Sequence, residues 1–227
     1  MKLPVKSARI PLSRRLGRFV LGRCRRVYYR MAESATGSHK RDFLVARVED
    51  ARTGLEETKE QLQTTLERFS ALIDFDGGNL AGFYRALKRD FDRSEQKAEQ
   101  VRNHIDTIES LAQDLFAEWE EELDLYTNRA LRSKSRQKLK LTQRHYRRLI
   151  AAMRKAESRI DPVLNAFRDQ VLFLKHNLNA QAIAALQHEL VSVSVDIAAM
   201  IQVMEQSIRQ ADQFIRTLEE PSALPGR

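Results

Sequence analysis

From Leu80 to Tyr126 apolar or small residues recur at alternating steps of four and three: Leu80, Tyr84, Leu87, Phe91, Ser94, Ala98, Val101, Ile105, Ile108, Ala112, Leu115 and Trp119, with Tyr126 closing the series. An α-helix keeps such a series on one narrow stripe, and the stripe must be buried against other helices for the chain to fold. No period-two alternation competes with it, so strands are not expected anywhere. The heptad pattern thus sets the shape of the chain, and no reaction is encoded in it.

Comparable series flank this segment. The first helix is expected from about Asp42 to Ile73, with its seam at Leu44, Val48, Ala51, Leu55, Thr58, Leu62, Thr65 or Leu66, Phe69 and Ile73. Gly54 weakens it by roughly 1 kcal/mol relative to Ala. Asp74, Phe75, Asp76, Gly77, Gly78 and Asn79 form a tight reversal in which Asn79 caps the next helix. So short a link makes the two helices antiparallel neighbours.

The third seam runs through Leu139, Thr142, Tyr146, Leu149, Met153, Ala156, Ile160, Val163, Phe167, Gln170 and Leu174, and keeps its phase across Asp161 and Pro162. Unbroken phase favours one kinked rod over two helices divided by an Asp161 cap. After Asn177, Leu178 and Asn179 a last seam follows Ile183, Leu186, Leu190, Val193, Ile197, Met200, Met204, Ala211, Ile215 and Leu218, and stops before Pro221. Apolar residues beside the seams (Leu111, Phe116, Leu164, Leu172, Val191 and Val195) widen the stripe beyond what a two-stranded coiled coil buries. The expected fold is therefore all-α: an elongated antiparallel helical bundle or coiled coil of three to four long helices over residues 39–220. A basic tail at 1–38, disordered or lying on a membrane surface, precedes it, and a frayed end at 221–227 follows.

The net charge of +8 is unevenly placed. Residues 1–38 hold ten Lys or Arg against Glu33 alone, so the remainder, with 29 bases and 30 acids, is close to neutral. A basic whole-chain balance therefore says little about what the body binds. Cys24 is the only cysteine, which rules out an intramolecular disulfide. No apolar run approaches the roughly 20 residues needed to span a bilayer.

Several blocks resemble a bacterial domain-of-unknown-function family, found mostly as short predicted coiled-coil envelope lipoproteins. They are Tyr28-Tyr29 with Met31-Ala32-Glu33, His39-Lys40-Arg41-Asp42, Phe75-Asp76-Gly77-Gly78, Trp119 with its acidic neighbours, Asp161-Pro162-Val163-Leu164, and Leu174-Lys175-His176-Asn177-Leu178-Asn179-Ala180. Together they extend over residues 28 to about 218. The resemblance implies a coiled-coil body, an envelope location and no assigned activity. Typical members carry a lipid-modified cysteine four residues before the Tyr-Tyr pair, the place that Cys24 occupies. A lipobox needs a small residue before that cysteine and an apolar run ahead of it, whereas Arg23 precedes Cys24 and Arg14, Arg15 and Arg18 interrupt the run. Lipidation at Cys24 is accordingly not expected, and the location is read as cytoplasmic or membrane-surface.

Two basic segments are candidate contacts for anionic surfaces. In the tail, Arg14, Arg15, Arg18, Arg25 and Arg26 alternate with apolar residues, which suits an interfacial segment on an anionic bilayer. A disordered arm or a decayed export signal is the bland alternative, and nucleic-acid binding is the third. In the body, Arg129, Arg132, Lys134, Arg136, Lys138, Lys140, Arg144, Arg147, Arg148, Arg154 and Lys155 occur with no acid among them. The preceding helix ends in Asp114, Glu118, Glu120, Glu121, Glu122 and Asp124. Both runs oppose the helix macrodipole. Pairing across the hairpin is thus the first expectation for these charges, and a polyanion contact by the surplus is the second.

The histidines at 39, 104, 145, 176 and 188 follow no metal-binding spacing, and Asp74-Phe75-Asp76-Gly77 departs from a calcium loop. No nucleophile has a recognisable base beside it and no GxxxxGK[ST] loop is present. Neither an enzyme nor a cofactor nor a metal is expected. The function read from the sequence is that of a structural or scaffolding coiled-coil protein, associated with a membrane surface through its tail. The alternative is a nucleic-acid-associated protein using the tail and the start of the third helix. A homo-oligomer is compatible with either, and protein partners are not identified.

Overall fold

The computed structural model describes residues 40–72, 79–177 and 180–219. By its internal contacts the chain divides between Phe43 and Leu44, and the bundle is the second unit, Leu44–Arg227. The elements are α1 (Lys40–Ser70), α2 (Leu80–Leu123), α3 (Arg129–His176) and α4 (Ala180–Glu219). No strand occurs among the described residues. Outside them lie the basic tail with Cys24, residues 73–78 of the first reversal, residues 178 and 179 of the last, and residues 220–227.

The heptad positions are the buried ones. Helix α1 buries Leu44, Val48, Ala51, Leu55, Thr58, Leu62, Thr65 and Phe69. Helix α2 buries its seam from Leu87 to Leu115, with Val101, Ile105 and Ile108 fully enclosed. Helix α3 does the same from Leu139 to Leu174 apart from the half-buried Tyr146, and α4 from Leu186 to Leu218. At 1.5 Å per residue the 44 residues of α2 and the 48 of α3 extend for about 66 and 72 Å.

Side-chain pairs fix the topology. Along α1 and α2, Glu57 meets Lys97, Thr65 meets Ser94 and Arg68 meets Asp90, so numbers rise on one helix as they fall on the other. The same holds for α2 and α3, where Glu95 meets Arg168, Arg102 meets Asp161 and Glu109 meets Arg154. It holds again for α3 and α4 (Lys138 with Thr217, Tyr146 with Phe214). Arg52 and Lys59 reach Asp212 and Glu205, which returns α4 to α1 and closes the ring. Across its centre Phe69 and Phe167 stand edge to face with centroids 6.2 Å apart. The second unit is an up-down-up-down bundle of four antiparallel helices.

The helix ends follow local chemistry. Asn79 caps α2, its side chain accepting from the Gly82 N–H at 2.8 Å. A Cβ at Gly82 would stand 2.8 Å from the Asn79 amide, so glycine keeps that cap in place. Asn128 caps α3 by accepting from the N–H groups of Ala130 and Leu131. Helix α3 runs as one α-helix through Pro162, which settles the choice between one rod and two helices. Pro162 and Ser158 are both exposed, where water is at hand for the carbonyl that proline leaves without a partner.

The apolar residues placed beside the seams divide. Leu111 and Leu164 are buried and Phe116 is half-buried, whereas Leu172, Val191 and Val195 are 49%, 68% and 64% exposed. With about 100° between successive residues, Val191 and Val195 lie roughly 140° and 180° from the centre of the α4 seam, beyond the reach of neighbours in a four-helix ring. Leu172 stands in a similar relation to the α3 seam. Tyr126 also departs from expectation, because α2 stops at Leu123 and leaves it exposed.

Two substitutions test the bundle. Gly54→Ala should stabilise it by about 1 kcal/mol, because a Cβ there meets only His104 and Val101 at an ordinary 3.6 Å. Ile105 is fully enclosed, so Ile105→Asp should cost about 3–5 kcal/mol by burying an unpaired charge. Thermal melts followed by circular dichroism read both, and an Ile105→Asp variant with an unchanged midpoint would contradict the packing described.

Candidate anion-binding face

Successive residues of an α-helix turn by about 100°, so a run of charges sorts by direction. On this wheel Arg129, Arg136, Lys140, Arg144, Arg147, Arg148 and Lys155 fall within an arc of about 120°. All seven are exposed. None of them takes part in an ion pair or side-chain hydrogen bond among the described residues. The result is a basic face on α3 about 39 Å long at 1.5 Å per residue.

Of the remaining bases, Arg132 and Lys138 point elsewhere, exposed Lys134 lies about 40° beyond the arc, and Arg154 shares the direction of Arg136 at the α2 edge of the arc but is paired. Arg132 pairs with Asp124 across the hairpin. Lys138 turns to α4, where its ammonium donates to the Thr217 carbonyl at 3.1 Å. Arg154 faces α2 and is the densest charge junction of the bundle, with Asp106 at 2.7 Å, Glu109 at 2.6 Å and Glu157 at 2.8 Å. The hydrogen bond to Glu109 leads in raising the Arg154 pKa, against the opposing effect of burial. Of the body residues singled out in the sequence, then, Arg129, Arg136 and Lys140 share one face, and Arg132 and Lys138 leave it. Arg144, Arg147, Arg148 and Lys155 join it. The tail residues Arg14, Arg15, Arg18, Arg25 and Arg26 lie outside the described residues.

Pairing across the hairpin is real but limited. Several α2 carboxylates are engaged with α3 at the α2 edge: Asp124 with Arg132, Glu120 with the Gln143 amide at 2.9 Å, Asp106 and Glu109 with Arg154, and Glu95 with Arg168. On α4, Glu205 and Asp212 are turned to Lys59 and Arg52 of α1. Neither set reaches past the edge of the outward arc.

Two polar features inside the bundle have only faint sequence signals. The Trp119 indole N–H donates to the Ser135 hydroxyl at 2.9 Å, which ties the hairpin together and leaves the ring half-buried. Asp90 is buried beside the α2 seam, where Arg68 and Arg93 flank its carboxylate and Gln61 donates to its carbonyl. With the buried Thr65–Ser94 hydroxyl pair it forms a polar layer between α1 and α2. Among the described residues no group of three or more His, Cys, Asp or Glu is placed to hold a metal ion. No helix of the described residues is long and apolar enough to cross a membrane.

A family model described as "Protein of unknown function (DUF2959)" matches residues 28–218. The chain belongs to this family. The matched stretch takes in α1, α2 and α3 and all but the last residue of α4. No curated protein and no solved structure matches the chain.

Tyr146 lies under the basic face, its ring edge-on to Phe116 at 5.3 Å and tilted against Phe214 at 6.2 Å. Burial, reinforced by the charge of Glu109 and opposed by Arg154, pushes its phenol up to about 12. A raised phenol pKa means that the folded state holds the proton more tightly than the unfolded chain. Its contribution to stability is full below about pH 10 and is lost as pH rises from there towards about 12. Between about pH 9 and pH 11.5 the wild-type melting temperature should therefore fall more steeply than that of Tyr146→Phe, and parallel curves would show that this phenol is not the group responsible.

Proposed function

We propose that the protein is a non-enzymatic scaffold whose α3 face rests against an anionic membrane surface. The observation that carries this reading is the run Arg136, Lys140, Arg144 and Arg148, four cations one turn apart with no ion pair among the described residues. Like charges at this spacing destabilise a helix by about 0.2–0.5 kcal/mol per pair, and cations near a helix start oppose the macrodipole as well. An anionic partner outside the bundle offsets both. The basic tail read from the sequence supplies a second cationic segment, and the resemblance to envelope lipoproteins points to the same setting.

A flat anionic surface suits this face better than a nucleic-acid duplex does. The proline-free helix from 129 to 155 keeps its charges within one arc of about 120°, and a bilayer meets such a face over its whole length. A duplex backbone curves away from it. Single strands would need stacking rings, and the one aromatic ring in the stretch, Tyr146, is packed against Phe116 and Phe214.

Flotation of the full chain with phosphatidylcholine vesicles, with and without roughly one-third phosphatidylglycerol, tests the reading. Binding should require the anionic lipid and weaken as salt rises. Changing Arg136, Lys140 and Arg147 together to Gln should lower it on the order of a hundredfold, at about 1 kcal/mol per charge near the surface. Equal flotation of the neutralised variant, or tighter binding to duplex DNA at the same salt, would overturn it.

A further inference from the structure

Between α3 and α4 an open groove of about 400 Å³ lies at the edge of the basic face. Ala151 and Ala152 of α3 and Val203 of α4 line it, and the small alanine side chains leave the space open. Arg148 and Lys155, two helical turns apart, stand at either end of this alanine pair. Gln206 and Gln210 of α4 complete the lining. Every charged residue of the lining is a cation, since the α4 carboxylates Glu205 and Asp212 pair with α1 and Glu157 pairs with Arg154. Neither Arg148 nor Lys155 has an ion-pair partner among the described residues.

The geometry points to this groove as a seat for the terminal phosphate of a phosphomonoester lipid headgroup. A guanidinium fork, an ammonium and two amide N–H₂ groups supply more donors than the two free oxygens of a phosphodiester can use. A terminal phosphate offers three oxygens. The amides also separate this site from the rest of the α3 face, which attracts any negative charge without regard to headgroup. The inference rests on the membrane-surface reading for the source of the phosphate, and adds a headgroup preference to it.

Charge-neutral substitutions separate the two ideas. The full chain is floated with phosphatidylcholine vesicles containing either phosphatidic acid or phosphatidylglycerol, adjusted to the same surface potential. Wild type should prefer phosphatidic acid by about tenfold, as expected for added hydrogen bonds to a charged group. Ala151→Leu, which fills the groove from an exposed helical position, should abolish the preference and leave phosphatidylglycerol binding intact. Gln206→Ala with Gln210→Ala should do the same, and circular-dichroism melts establish that each variant is folded. Equal wild-type binding to both vesicles, or a preference that survives both variants, would overturn the groove while leaving the membrane reading in place. Failure to float with either vesicle would overturn the membrane reading and the lipid source together. In that case, wild-type binding of glycerol 3-phosphate that Ala151→Leu removes would assign the groove to a soluble phosphate.

Discussion

Each helix of this bundle carries one continuous apolar stripe, and burial of the four stripes against one another is what every other feature depends on. The core is a column of side chains in which Leu55, Ile105, Met153 and Met204 are almost completely enclosed. Burying side chains of this size is worth about 1.5–3 kcal/mol each, so stability accumulates along the column with no thick centre to concentrate it. A charge introduced anywhere in it has no alternative environment. The interior is thereby committed to packing, and the chemistry that varies along the chain is displaced to the surface.

Several polar residues in the column are satisfied locally or select a pairing, whereas the buried hydroxyls of Thr142 and Ser207 have no hydrogen-bond partner among the described residues. Thr58 and Thr65 return their hydroxyls to the carbonyls of Gly54 and Gln61 on the preceding turn, and Ser94 does so to Asp90. Asp90 is different, because its buried carboxylate needs Arg68 from the neighbouring helix. A slip of α1 against α2 by one heptad would preserve the apolar contacts but separate this pair and the Thr65–Ser94 contact. The polar layer therefore discriminates between registers that hydrophobic burial alone treats as nearly equal.

The sequence carries the fold through phase, which is a property of one helix at a time. That is why the seam positions from Leu44 to Leu218 could be read from the sequence, Tyr126 excepted, along with the Asn79 cap and the continuity through Pro162. Whatever depends on two helices at once was less accessible. Leu172, Val191 and Val195 are apolar, yet their phase sets them against solvent, so composition misled where the wheel would have excluded them. Trp119 fell on the seam, but its indole hydrogen bond requires Ser135 to arrive from the next helix. In the basic run, Lys138 and Lys140 are neighbours in sequence but point about 200° apart, so one donates to α4 and the other stands on the free face.

The same geometry explains why charge pairing stops short of neutralising α3. In a ring of four antiparallel helices each helix has two flanks that meet neighbours and one outward arc that meets none. Carboxylates on α2 and α4 can compensate bases only along the flanks, as Asp106 and Glu109 do for Arg154. Bases on the outward arc remain unneutralised whatever the neighbours carry. The near-neutral total of the body consequently conceals a strongly polarised surface. Like-charge repulsion along Arg136, Lys140, Arg144 and Arg148 is tolerable because the buried seam of α3 secures the helix from its other side, so the stability of the core is what allows so concentrated a charge to persist on one face.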